Sequence, residues 1–179
     1  MVEIPSNFIG DFKVGDNLVY NAGVLRSLCE HNGDSSLNKL VVVQVGAIIE
    51  AALGQIIYRA QNFNREGVPN IAEADRQAIE GKKIDKLNNI IDVMRKYDLL
   101  NELGGGIYDE LHTLRRYRNK VHIQDDNADV PRDEEVAFTS ERCVWSLGLC
   151  VTVLDLLSQK FPRPAGIDKY VQPLSIPDA

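Results

Sequence analysis

The chain has 179 residues, 20 basic and 26 acidic, for a formal net charge of −6, and is 44% hydrophobic, 26% charged and 7% aromatic. That length suits one domain, and the composition is globular rather than disordered, fibrous or disulfide-rich. Net acidity argues against a general charge-driven grip on nucleic acid but leaves room for a local basic site.

Three cysteines make no disulfide framework, so a reducing cytoplasmic setting is expected. The opening stretch MVEIPSNFIGDF lacks a basic region followed by an apolar run, so no signal peptide is expected. Residues 1–15 read as an extended arm, punctuated by Pro5, Gly10 and Gly15. A first helix is expected from Asp16 or Asn17 to about His31, on the broken stripe Leu18, Val24, Leu25 and Leu28. Asn32-Gly33-Asp34 is a stop signal.

Ser35 or Ser36 is placed to cap the next helix, LNKLVVVQVGAIIEAALGQIIYRAQNF. Its valines also suit strands, but strands typically run ~4–8 residues and this run is far longer. Ala47, Ala51, Ala52 and Leu53 favour helix. Between Lys39 and Arg59 the only charge is Glu50, and the stretch is nearly as long as the ~20 apolar residues that span a bilayer. A carboxylate at mid-bilayer costs ~2.5 kcal/mol or more, so a buried core helix with no membrane association is expected.

Residues 64–81 read as a polar connection with a short helix near Ala72–Glu80. Ile84, Leu87, Ile90, Ile91 and Met94 then repeat with helical spacing. Gly104-Gly105-Gly106 breaks the chain, and a fourth helix is expected from about Ile107 to Ile123. DDNADVPRD, residues 125–133, is an acidic loop. The last helix starts near Glu134 or at Thr139 and reaches Lys160, where Pro162 and Pro164 end it. No segment alternates with period two for long enough to be a strand. The expectation is all-α: a four- to five-helix bundle. It forms a single domain over 1–179, with an N-terminal arm 1–15 and an irregular tail 162–179.

The densest positive cluster is Arg115-Arg116-Tyr117-Arg118-Asn119-Lys120, with His122 two positions on. On a wheel of about 100° per residue, Ile107, Leu111, Leu114 and Val121 define an apolar stripe. Arg118 falls inside it, His122 and Arg115 at its edge, and Asn119 just beyond. Arg116 and Lys120 point to solvent. A charge on a core-facing stripe must be paired or line a polar pocket, so Arg118 or Arg115 is expected close to Glu50. Such a pair by itself only fixes helix register. The chemical alternative joins Arg115, Arg118, Asn119 and His122, which share an arc of roughly 100°. Histidine exchanges protons near neutrality, arginine holds phosphate and stabilises developing negative charge, and asparagine orients a ribose or phosphate oxygen. Such a set cleaves RNA without metal, the ribose 2′-hydroxyl serving as nucleophile, and two chains meeting along this face would supply two histidines.

The string LHTLRRYRNKVHI resembles the signature helix of HEPN domains, the higher eukaryotes and prokaryotes nucleotide-binding domains, in which an Arg is followed by four to six residues and a His. VGAIIEAALGQII resembles their central apolar helix with an embedded acid, and ERCVWSLGLCVTVLDLL their closing helix. The likeness covers about 36–161. Three residues separate Arg118 from His122, five separate Arg116 and six Arg115, so the active Arg is left open. The resemblance implies a helical bundle, a homodimer with facing motifs, and a metal-independent endoribonuclease of toxin–antitoxin or phage-defence type. A non-catalytic module binding RNA or a protein partner, such as an antitoxin, is the alternative. His122 would be general acid or base, Arg115 or Arg118 would stabilise the transition state, and Asn119 would position single-stranded RNA that Arg116 and Lys120 help hold. No cofactor or metal is implied. Cys143 and Cys150 read as buried thiols, and Gly104-Gly105-Gly106 lacks the Lys-Ser/Thr of a phosphate loop.

Overall fold

The computed structural model describes residues 1–62, 84–122, 129–166 and 170–178. The expected connection over 64–81, its short helix near Ala72–Glu80, and Asp125 and Asp126 of the acidic loop lie outside them. The described residues are mostly helical: α1 (Phe12–Glu30), α2 (Asn38–Asn62), α3 (Leu87–Lys96), α4 (Ile107–Asn119), a single turn α5 (Glu134–Ala137) and α6 (Ser140–Lys160). A 3-10 turn, Asn101–Leu103, lies between α3 and α4.

The all-α class follows from one long apolar helix that needs cover on several sides. The 25 residues of α2 bury Val41, Val42, Val45, Ile48, Ile49, Ala52, Leu53 and Ile56. α1, α3, α4 and α6 all pack against it. α6 contributes Cys150, Val153, Leu154 and Leu157, each fully buried. α2 and α6 are long and apolar enough to cross a membrane by length and composition alone; in this fold they pack against each other.

Several boundaries differ from the sequence expectation, each for a local reason. α1 begins at Phe12 because the Asp11 carboxylate accepts from the Lys13 and Val14 amides. Gly15 is therefore no punctuation: it sits inside α1, where a Cβ would lie 2.6 Å from a Val171 methyl carbon. Ser35 has φ 65°, left-handed backbone that no helix start uses, so α2 begins at Asn38. Both starts expected for the last helix are used, Asp133 capping α5 and Thr139 capping α6.

The largest correction concerns the arm. Val2–Ile4 (β1) pairs antiparallel with Leu174–Ile176 (β2), in the register Val2↔Ile176 and Ile4↔Leu174. Ile4, Phe8 and Ile9 are core residues. The Gln55 side-chain Oε1 accepts from the Gly10 and Asp11 amides. Arg59 is completely buried, and its Nη1 donates to Phe8 O at 3.0 Å and Phe161 O at 2.5 Å. It thereby fastens the N-terminal segment to the end of α6. Arg163 reinforces this by donating to Ile9 O and Gly10 O.

Candidate functional site

α4 carries the cationic cluster but ends at Asn119, short of Ile123. Its last turn tightens. The Val121 amide donates to Arg118 O and the His122 amide to Asn119 O, both i to i−3 bonds. The wheel thus fails from residue 120 on. Lys120, expected to face solvent, is only 3% exposed, with its Nζ donating to Arg132 O at 3.1 Å. Val121, expected on the apolar stripe, is 47% exposed. His122 is exposed in the turn beyond the helix. Arg116, also expected to face solvent, is partly covered: its side chain is 27% exposed, Nη2 donates to Thr113 Oγ1 at 2.9 Å, and Nε, shielded from solvent, lies 4.0 Å from Asp129.

The remaining three predicted residues come together. Arg115, Arg118 and Asn119 of α4 line a cleft of about 400 Å³ with Glu50 of α2 and with Asp85, Lys86, Leu87 and Asn88 at the start of α3. Arg116, Lys120 and His122 do not line it.

Arg118 reaches Glu50 because α2 has a glycine in its path. A Cβ on Gly46 would lie 2.7 Å from Arg118 Cγ and 2.8 Å from its Cβ, so the arginine stem crosses α2 on bare backbone. Gly46 precedes Glu50 by one helical turn, on the same face. The Arg118 Nη2 donates to Glu50 Oε2, and its Nη1 faces Asn119 Oδ1 at 3.4 Å. Both partners are partly covered, their side chains retaining 34% and 19% exposure. Of the two pairings expected, Arg118–Glu50 is the one formed.

Glu50 has a second duty that the sequence did not suggest. Its Oε1 accepts from the Leu87 amide at 3.0 Å. Leu87 opens α3, whose N-cap residue Lys86 makes no side-chain cap bond. One carboxylate thus caps α3 and neutralises a cation on α4.

Arg115 is in a different state. It is partly buried, its Nε is shielded from solvent without a hydrogen-bond partner, and it makes no ion pair among the described residues. The cleft holds Lys86, Arg115 and Arg118 against Glu50 and Asp85, an excess of cations in a chain whose net charge is −6. One turn back on α4, His112 sits 3.5 Å from Asp92. Burial pushes its pKa down, Asp92 opposes this, and Arg115, Arg95 and Arg116 add to it. His112 is thus mostly neutral at pH 7.

Cys143 and Cys150 are buried free thiols. Burial raises the Cys150 pKa to about 12 and that of half-covered Cys29 to about 11, so neither is a ready nucleophile. Among the described residues no three His, Cys, Asp or Glu side chains are grouped to hold a metal.

The cleft residues missed from sequence are Asp85, Lys86, Asn88 and the Leu87 amide, brought in by the packing of α3 on α2 and α4. Gly46 did leave a signal, a lone glycine one turn before the lone acid of an apolar helix.

No protein-family model matches the chain, and no curated protein or solved structure matches it either.

Proposed function

We propose that the chain is a HEPN-like helical module that binds single-stranded RNA, as a cytoplasmic homodimer, with one nucleotide phosphate held in the cleft between α2, α3 and α4. The observation that carries this reading is Arg115. It lines the cleft and makes no ion pair among the described residues, its shielded Nε without a hydrogen bond, while Arg118 beside it already has Glu50. An arginine of this kind suits a phosphate, which accepts two parallel hydrogen bonds from the guanidinium. Asn119 and Asn88 add amide groups able to meet ribose or base edges. The volume of about 400 Å³ suits a single nucleotide rather than a duplex. The HEPN likeness is supported by the Arg-Asn pair lying on a late helix of an all-α bundle, with the acid of the apolar helix bonded to it.

A second reading, a metal-independent endoribonuclease of toxin–antitoxin or phage-defence type, is favoured by one observation. His122 is exposed and stands three residues past Asn119, at the end of the helix that lines the cleft. Within one chain it does not line that cleft, so catalysis requires a second copy to present its own His122 there.

The test is binding and cleavage of a mixed-sequence single-stranded RNA in EDTA by wild type, Arg115→Ala and His122→Ala. The binding reading expects wild-type affinity that drops roughly tenfold or more in Arg115→Ala, holds in His122→Ala, and comes with no cleavage. Cutting to cyclic phosphate ends that His122→Ala abolishes establishes the endoribonuclease instead. No RNA binding by folded wild type refutes both.

A further inference from the structure

We propose that Glu50 is a built-in competitor for the phosphate: its carboxylate occupies from within the chain part of the place an incoming phosphate takes, and holds the affinity of the cleft down until it is displaced. The proposal rests on the RNA-binding reading of the same cleft.

The argument starts from what the two carboxylate oxygens do. Oε2 accepts from the Arg118 guanidinium, and Oε1 accepts from the Leu87 amide at 3.0 Å. A guanidinium and a main-chain amide are donors of the kind that hold phosphate oxygens. Glu50 satisfies both at once, as a two-oxygen anion with its side chain only 19% exposed. Arg115 lines the same cleft without a partner among the described residues. A phosphate bound at Arg115 therefore comes up against a fixed negative charge that is itself using the neighbouring donors.

Two anions in one partly covered cleft repel. Phosphate gains full use of the cleft only by drawing Arg118, and with it the Leu87 amide, away from Glu50. Glu50 is thus set between two tasks: it closes the α2–α3–α4 junction when the cleft is empty, and it yields its donors when an anion enters.

The experiment titrates inorganic phosphate into the full ¹⁵N-labelled chain, wild type beside Glu50→Gln, following backbone amides. Glutamine keeps the size and an oxygen for the Leu87 amide but removes the charge. The expected result is phosphate binding roughly ten- to hundredfold tighter in Glu50→Gln than in wild type. It should be lost again in Glu50→Gln/Arg115→Ala. Equal or weaker binding by a folded Glu50→Gln overturns the proposal. Should Glu50→Gln not fold, wild type decides. A Leu87 amide resonance that shifts in step with phosphate occupancy supports the exchange, and one that stays still at saturation, or no saturable binding at all, overturns it.

Single-stranded RNA in the same experiment separates this proposal from the reading beneath it. If wild type binds RNA, Arg115→Ala loses it and Glu50→Gln changes nothing, only the competitor role falls. If Glu50→Gln gains phosphate affinity while neither protein binds RNA, the competitor role stands and the RNA reading falls.

Discussion

Replacing Gly46 by alanine tests the crossing of Arg118 over α2. The new Cβ would lie 2.7 Å from Arg118 Cγ and 2.8 Å from Arg118 Cβ, about 1 Å inside an ordinary carbon–carbon contact. A new rotamer moves Cγ but not Cβ, which is fixed to the α4 backbone. Relief therefore needs α2 and α4 to part by several tenths of an ångström or more. Overpacking of this kind costs about 1–3 kcal/mol, set against about 1 kcal/mol gained by replacing a mid-helix glycine with alanine. Gly54 is the control in the same helix, since its Cβ would meet only Ile90 Cδ1, at 4.0 Å. Gly54→Ala receives the propensity gain without the clash. The two variants should therefore differ by about 1–3 kcal/mol in urea unfolding. For a chain of this size that is a gap of roughly 2–12 °C in melting temperature. Gly46→Ala as stable as Gly54→Ala would refute the close crossing.

Three further expectations follow from the same packing. Lys120→Ala should cost about 1–2 kcal/mol, because it removes a buried stem and the bond to Arg132 O, whereas Arg26→Ala, half-exposed on α1, should stay within about 0.5 kcal/mol; equal losses in urea melts would contradict the burial of residue 120. Arg59→Met should cost about 2–4 kcal/mol, since it strips the Phe8 and Phe161 carbonyls of a buried donor, and amide exchange in β1 and β2 should accelerate with it; unchanged exchange would show that Arg59 does not fasten the N-terminal segment. The His112 pKa is lowered from 6.5 by burial, so below that pH the unfolded chain takes up the proton more readily. Its contribution is complete above about 6.5 and fades as pH falls through the lowered folded value. Wild type should therefore lose more urea stability than His112→Gln between pH 7 and pH 5, and parallel curves would sink this assignment.

What the sequence disclosed and what it hid divide along the range of the forces involved. α2 and α6 are legible because length and apolar content leave no other element for them. The Arg118–Glu50 pair is legible because a cation on an apolar stripe and a lone acid in an apolar helix pose one question and answer it together. The arm was misread because a three-residue strand such as Val2–Ile4 is too short to show a period, and its partner lies at the far end of the chain. The fate of Lys120, Val121 and His122 turned on one tightened helical turn. A wheel drawn at a constant angle cannot register this, nor the segment at Arg132 that covers Lys120. The wall of the cleft at Lys86 and Asn88 was hidden because tertiary packing alone brings it there.

The β1–β2 ribbon has a consequence for how the protein is made. Besides α2, Ile4, Phe8 and Ile9 need partners drawn from far along the chain: Leu174 opposite Ile4, Ser158 and Arg163 bonded to residues 7–10, and Phe161 joined to Phe8 through Arg59. On the ribosome residues 2–10 must wait for residues 158–176, made about 150 positions later, roughly 10–30 s at ordinary translation rates. For that interval the apolar face of α2, itself already synthesised, lacks α6. The nascent chain then exposes apolar surface that makes it prone to aggregate until α6 covers it.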